Sequence, residues 1–212
     1  MKNPNVTILG ATGAVGREML KILEERNFPI GELRCLASAR SVGKKLPFAG
    51  REITVEEATD AAFTDADIVL GAAENDIARR FAPAIKATGA VFIDNSSAFR
   101  MDEDVPLVVP EINPEDALHH HGIIANPNCS TIITLVAVAA LRRLSPITSM
   151  VAATYQAVSG AGALCVYLCL GLYKRIARQH LHFIATADLR MRYVMSKKML
   201  ALALFVIFLF IG

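Results

Sequence analysis

A short β-forming run, Val6-Thr-Ile-Leu9, leads directly into Gly10-Ala-Thr-Gly-Ala-Val-Gly16, and residues 17–26 then carry helical character. No other feature constrains the fold as much. A strand, a glycine turn and a helix in that order make one half of a parallel β-α-β unit. Glycines let the backbone of such a turn approach a pyrophosphate, and the first turn of the helix faces that charge with unpaired N–H groups. Gly10, Thr12, Gly13, Ala14, Val15 and Gly16 are therefore candidate cofactor-binding residues. The spacing is G-x-x-G-x-x-G rather than the commoner G-x-G-x-x-G, and glycine-rich turns also serve as plain connections.

The segments that follow keep the alternation going. Leu33-Arg-Cys-Leu-Ala37 reads as the second strand, residues 51–55 as an edge strand, and Asp67-Ile-Val-Leu70 as a buried strand. Residues 77–88 read as a helix with Pro83 early in it, and Ala90-Val-Phe-Ile-Asp94 as another strand. Leu107-Val-Val109 and Gly122-Ile-Ile-Ala125 are further short strands. An NAD site usually places an acid about 20 residues past the glycine turn, to hold the ribose hydroxyls. No acid lies between Leu33 and Val42; Ser38, Arg40 and Ser41 stand there, followed by Gly43-Lys44-Lys45. Hydroxyls beside an arginine suit a 2′-phosphate, so NADP is expected over NAD; a solvated basic loop is the plainer alternative. Arg100, after Asn95-Ser-Ser-Ala-Phe, lies where doubly wound sheets bind ligands and offers a planar fork for an anion.

Asn126-Pro-Asn128 is a turn that no helix continues through, and Cys129 follows it at the start of an apolar run. A cysteine in the first turn of a helix is favoured as thiolate by free N–H groups and the helix dipole. The thiolate is the form that attacks a carbonyl carbon. A buried structural cysteine is the alternative at this level. His119-His120-His121 reads as a solvated loop rather than a metal site, because adjacent histidines do not share a face. No metal is expected.

Composition matters at one place. Residues 1–162 carry a net charge of −4, whereas residues 163–212 hold seven Lys and Arg and the single acid Asp188. All nine prolines lie at or before Pro146. Residues 199–211 are apolar throughout and follow Lys197-Lys198, yet a lone bilayer-crossing helix needs roughly 20 apolar residues. An out-of-frame tail is favoured over a membrane anchor. No secretory signal opens the sequence, and Cys35, Cys129, Cys165 and Cys169 lack the two-residue gap of zinc hairpins. A reducing, cytoplasmic setting without structural disulfides follows, with no nucleic-acid partner.

Six blocks in order resemble one family, aspartate-semialdehyde dehydrogenase. They are Gly10-Ala-Thr-Gly-Ala-Val-Gly16, Ala37-Ser-Ala-Arg-Ser41, Asp94-Asn-Ser-Ser-Ala-Phe-Arg100, Val109-Pro-Glu-Ile-Asn113, Asn126-Pro-Asn-Cys-Ser-Thr131 and Thr154-Tyr-Gln-Ala-Val-Ser-Gly-Ala-Gly162. The resemblance covers residues 4–162. It implies a Rossmann-like doubly wound α/β domain over residues 1–145 that binds NADP and carries the nucleophile. Residues 146–162 would begin a substrate and dimerisation domain, and residues 163–212 match nothing in it.

The implied reaction is NADPH-dependent reductive dephosphorylation of aspartyl-4-phosphate to aspartate semialdehyde, on the route to lysine, threonine and methionine. By resemblance Cys129 displaces phosphate to form a thioester, and Gln156 orients the intermediate. Arg100 and Asn128 match the substrate-phosphate site. Thr12 to Val15 match the pyrophosphate turn, Arg40 and Ser41 the 2′-phosphate contacts, and Ser159 and Gly160 a later cofactor loop. The family's general acid/base histidine and carboxylate-binding arginine have no match here. The alternatives are N-acetyl-glutamyl-phosphate reductase, disfavoured by residues 156–160 and the Arg40-Ser41 pair, and a non-catalytic NADP-binding or membrane-tethered remnant. Family members are homodimers, and this chain lacks the matching second half.

Overall fold

The computed structural model describes residues 2–147 and 149–153. Its centre is a seven-stranded sheet: β1 (Val6–Leu9), β2 (Leu33–Ala37), β3 (Lys45–Phe48), β4 (Arg51–Glu57), β5 (Ile68–Gly71), β6 (Val91–Asp94) and β7 (Ile123–Ala125). The spatial order is β3-β4-β2-β1-β5-β6-β7, parallel except for the β3–β4 hairpin. The chain runs outward from β1 through β2 to β4, returns to β5 on the other side of β1, and continues to β7. That reversal is the topological switch point of a doubly wound dinucleotide fold, and the expected fold class holds.

Strand β1 is buried along its whole length, because it lies at the centre with a helix over each face. Its alternate residues serve opposite layers. Val6 and Ile8 pack with Leu20 of helix α1 (Ala14–Glu25) and with Leu46 and Phe48 of β3. Leu9 belongs to the other layer, where helix α2 (Asn75–Ala87) lays Ala78, Phe81, Ala82 and Ile85 against Val69 and Phe92. The fully buried Phe63, Phe81 and Phe92 each stabilise the fold by about 1.5–3 kcal/mol through burial. The rings of Phe63 and Phe81 stand 5.4 Å apart and tilted, and Phe99 meets Phe92 edge-on at 6.2 Å.

Three local expectations change. Residues 51–55 are not the edge: β4 pairs with β2 on one side and β3 on the other, and β3 is the outer strand. The turn Ala49-Gly50, both residues at positive φ, folds β3 back, and Pro47 and the lysines suit an edge that must resist further pairing. Residues 107–109 form a single bridge from Leu107 to Ala125 rather than a strand, because Pro106 and Pro110 flank them. Pro83 lies deep inside α2 rather than near its start, at an exposed position, and has no N–H to offer the carbonyl one turn earlier.

The described residues up to Ala152 belong to one compact unit. The last helix among the described residues, α3 (Cys129–Arg142), contributes no buried residue. No helix among the described residues is long and apolar enough to cross a membrane. The apolar run 199–211 lies outside the described residues.

Candidate active site

All the parallel strands end at one edge of the sheet, so the turns after β1, β2, β5, β6 and β7 gather there. The glycine turn follows β1. Gly10 has φ +89°, a conformation L side chains rarely adopt, and a Cβ there would come within 2.6 Å of the Ala72 carbonyl oxygen at the end of β5. Gly16 is needed for a different reason. It has ordinary helical geometry, but a Cβ would approach the Ala11 Cα to 2.7 Å and collide with the Gly10 carbonyl. The turn is thus pressed against both its own helix and the neighbouring strand end. Gly13 caps α1 without a side chain, and α1 has no acid in its first turn. The helix N-terminus therefore offers backbone N–H groups at Ala14, Val15 and Gly16, with no carboxylate to compete for them. Thr12 is half-buried beside them. This cradle fits a pyrophosphate.

After β2 the chain enters a short 3-10 turn, Ala39–Ser41, with Ser38 before it. Ser38 and Arg40 are exposed. Ser41 is buried, and its hydroxyl accepts a hydrogen bond from Lys44 Nζ at 3.2 Å. The hydroxyl is turned into the turn's own structure, and Lys44 is held beside it, three residues after Ser41. The basic loop seen in the sequence thus becomes a two-cation end to β2, and Lys44 joins the candidates.

The remaining side chains cluster after β6 and β7. Asp94 is fully buried at the end of β6. Burial pushes its carboxyl above the usual carboxylate range; hydrogen bonds from Ser96, and the charges of Arg100 and Arg79, pull the other way. Ser96 Oγ donates to Asp94 Oδ2 at 2.5 Å, and Ser96 N–H to Oδ1 at 3.2 Å. The Asp94 carbonyl accepts from Asn126 N–H at 2.8 Å.

Arg100 is partly buried. Its Nε donates to the Asn126 carbonyl at 2.9 Å and its Nη2 to the Asn95 carbonyl at 3.0 Å. It therefore ties the loop after β6 to the loop after β7, with part of its fork left for an anion. Asn126 Nδ2 also donates to Asn95 Oδ1, and Asn95 Nδ2 to the Gly71 carbonyl at 3.0 Å. Sequence reading missed Asn95 and Asn126 as site residues; the run of short amide and hydroxyl side chains just past two strand ends was the available signal.

Pro127 is buried, which seats the turn, while Asn128 and Cys129 are exposed. Asn128 is the N-cap of α3, its Oδ1 accepting from Ser130 N–H at 3.0 Å. This Asx cap, which the sequence reading did not assign, puts Cys129 at the first helical position. Part of the side chain expected at the substrate phosphate is thus occupied in holding the helix. The contrast with Cys35 is informative. Cys35 is fully buried in β2, and burial pushes its thiol up to about 11, so it stays protonated and inert. Cys129 is the exposed thiol on a helix dipole. Among the described residues no group of three or more His, Cys, Asp or Glu side chains is arranged to hold a metal, and His120 Nδ1 accepts from Gly122 N–H at 3.0 Å. Gln156, Ser159 and Gly160 lie outside the described residues.

The profile described as semialdehyde dehydrogenase, NAD binding domain, matches residues 5–120. An aspartate-semialdehyde dehydrogenase from Synechocystis is 55% identical over 161 residues, which is 76% of this chain and 48% of that one. The crystal structure of aspartate semialdehyde dehydrogenase II from Vibrio cholerae superposes with a TM-score of 0.76 at 42% identity, covering 84% of this chain and 54% of that one. A Candida albicans aspartate semialdehyde dehydrogenase, solved with NADP, is 27% identical with a TM-score of 0.57, covering 68% of this chain and 48% of that one. The chain spans about half the length of the curated relatives it matches. The resemblance read from the six blocks is therefore independently supported over the part of the chain that carries them. With the profile spanning the glycine turn, the 3-10 turn after β2 and the loop of Arg100, the chain belongs to the semialdehyde dehydrogenase family through its NAD-binding domain.

Proposed function

We propose that this chain carries the cofactor and nucleophile half of an NADP-dependent aspartate-semialdehyde dehydrogenase. The observation that carries the reading is Cys129, exposed at the capped start of α3, on the same sheet edge as the glycine cradle. Residues 12–16 bind the pyrophosphate, and Ser38 and Arg40, with Lys44, receive the 2′-phosphate. Cys129 thiolate attacks the acyl carbon of aspartyl-4-phosphate. The C–S bond forms as the acyl C–O bond breaks, and phosphate leaves with the bonding pair. Arg100 and Asn128 face the departing phosphate, and Gln156 orients the thioester. When bound, the reduced nicotinamide supplies the hydride that releases the aldehyde. The substrate/dimerisation role of residues 146–162 and a cytoplasmic setting belong to the same proposal.

A second reading, NADP binding without turnover, draws on the coverage of about half of the relatives' length. One experiment separates the two. The 212-residue chain and its Cys129→Ser variant are assayed for phosphate-dependent oxidation of aspartate semialdehyde with NADP, beside a direct measurement of NADP binding. Turnover lost in the variant supports the enzyme. Binding without turnover supports the second reading, and absence of NADP binding overturns both.

A further inference from the structure

The exposed Cys129 turn is held from behind by an amide pair. Asn126 Nδ2 donates to Asn95 Oδ1, and Asn95 Nδ2 donates to the Gly71 carbonyl at 3.0 Å. Asn95 N–H also bonds the Gly71 carbonyl, at 3.2 Å. Gly71 ends β5, Asn95 follows β6, and Asn126 follows β7. The pair therefore runs across three strand ends, and its first anchor, Gly71, directly precedes Ala72, against which Gly10 is packed. Arg100 closes the device by holding the carbonyls of both asparagines.

We propose that Asn95 and Asn126 are positioning residues that fix the Cys129 thiol relative to the glycine turn. The inference rests on the reading of Cys129 as the nucleophile and adds what orients it. The α3 helix contributes no fully buried residue, whereas the residues just before it are tied into the strand ends. Those ties are Asn126 through its side chain, N–H and carbonyl, and Pro127 through burial. Attack on a carbonyl carbon needs a defined approach, and small misplacements cost large factors in rate. Alkylation by a small haloacetamide needs a thiolate and access, but no seated acyl group.

The test uses acetyl phosphate as the acyl donor and the full chain with Cys35, Cys165 and Cys169 replaced by Ser. Cys129 thiolate attacks the acetyl carbon, the C–S bond forms, and inorganic phosphate leaves with the electrons of the broken C–O bond. Acetylated protein is read by mass and released phosphate by assay. Asn126→Ala and Asn95→Ala are expected to slow acetyl transfer by about 10- to 100-fold. Their iodoacetamide rate at the same pH should stay within about twofold of wild type, because alkylation needs only access to the exposed thiol. The double variant should be no slower than either single one, as for two parts of one device. Asn95→Asp keeps an acceptor toward Asn126 but sets an oxygen against the Gly71 carbonyl, and is expected to be slowed as well.

Should Asn126→Ala fail to show a cooperative unfolding transition, Asn126→Asp carries the test. It keeps the size and backbone bonds but sets an oxygen against Asn95 Oδ1, and it should be as slow. Equal slowing of acetylation and alkylation, or acetylation at the wild-type rate in the folded variants, overturns the proposal while leaving Cys129 as nucleophile. Absence of acetylation in the parent chain overturns the nucleophile reading and the positioning role with it.

Discussion

The glycine turn makes a prediction whose magnitude can be built from parts. A methyl group at Gly10 meets two obstacles: a backbone at φ +89°, and the Ala72 carbonyl oxygen 2.6 Å from the new Cβ. Other glycines isolate each cost. Gly43 and Gly89 have φ +80° and +82° with nothing within 4 Å of where a Cβ would stand, so alanine there meets backbone strain alone. Gly16 is helical and meets contact alone. Left-handed backbone in an L-residue costs roughly 1–2 kcal/mol. Forcing a methyl into filled space costs about 1–3 kcal/mol, at the upper end when the obstacle is backbone.

Gly43→Ala and Gly89→Ala should therefore each lose about 1–2 kcal/mol. Gly16→Ala should lose about 1–3 kcal/mol despite alanine's better helix propensity. Gly10→Ala combines both obstacles and should lose about 2–5 kcal/mol. Urea unfolding of the four variants gives the ranking, and titration with NADP gives the second readout. Gly10→Ala and Gly16→Ala should also weaken cofactor binding, whereas Gly89→Ala, at the far end of α2, should not. A Gly10→Ala variant no less stable than Gly43→Ala would refute the claim that the turn is pressed against β5.

Arg40→Ala should weaken NADP binding by about 1.5–3 kcal/mol, the range for hydrogen bonds to a charged group, and leave NAD binding nearly unchanged; parallel titrations of both dinucleotides check it. Asp94 has its folded pKa raised by burial, so the folded state holds the proton more tightly than the unfolded chain. Its contribution is most favourable below the unfolded value of about 3.9 and is lost as pH rises through the folded value. Relative to Asp94→Asn, wild type should therefore lose stability on going from about pH 4 to about pH 7, as measured by unfolding at both. Asn128→Ala removes the N-cap bond to Ser130 and should cost about 1 kcal/mol, read as faster amide exchange confined to the start of α3. Cys35, with its thiol pushed up to about 11, should resist alkylation at about pH 9 until the chain is unfolded, whereas Cys129 reacts in the folded state.

Much of this fold is local enough to read from the chain. β2 is legible to the residue because the short, mostly apolar run Leu33 to Ala37 is bounded by Gly31-Glu32 and by Ser38. The glycine turn is legible because its geometry is dictated largely by neighbours close in sequence. The β3–β4 hairpin is not, because its strands are polar outside and its turn uses Ala49, an unusual residue at positive φ. The candidate site divides the same way. The place of Cys129 is a contiguous signal, a turn feeding a helix, although the cap by Asn128 was not read from it. Asn95 and Asn126 lie 31 residues apart and meet only because β6 and β7 pair in register, Asp94 opposite Ala125. Spacing along the chain carries no trace of that. The burial of Ser41 is equally hidden, since a serine after an arginine reads the same whether it faces a ligand or its own turn.

Among the described α-helices, the one with no buried residue carries the proposed nucleophile. α3 is apolar around its circumference, yet Ile133 is 73% and Leu141 57% exposed. A 14-residue helix is marginal on propensity alone, and most helices in proteins are held by the face they bury. What fixes the start of α3 is therefore the chain leading into it: the Asn128 cap, the buried Pro127, and the bonds at Asn126. The sheet edge is the rigid reference, since β5, β6 and β7 are paired through the core and the loop after β6 is pinned where Phe99 packs on Phe92. Loosening the helix downstream should leave the thiol close to its place, whereas cutting the ties at the strand ends should move it. The ties at Asn126, Pro127 and Asn128 lie immediately before Cys129, at the carboxyl ends of the strands, so rigidity there bears directly on the thiol.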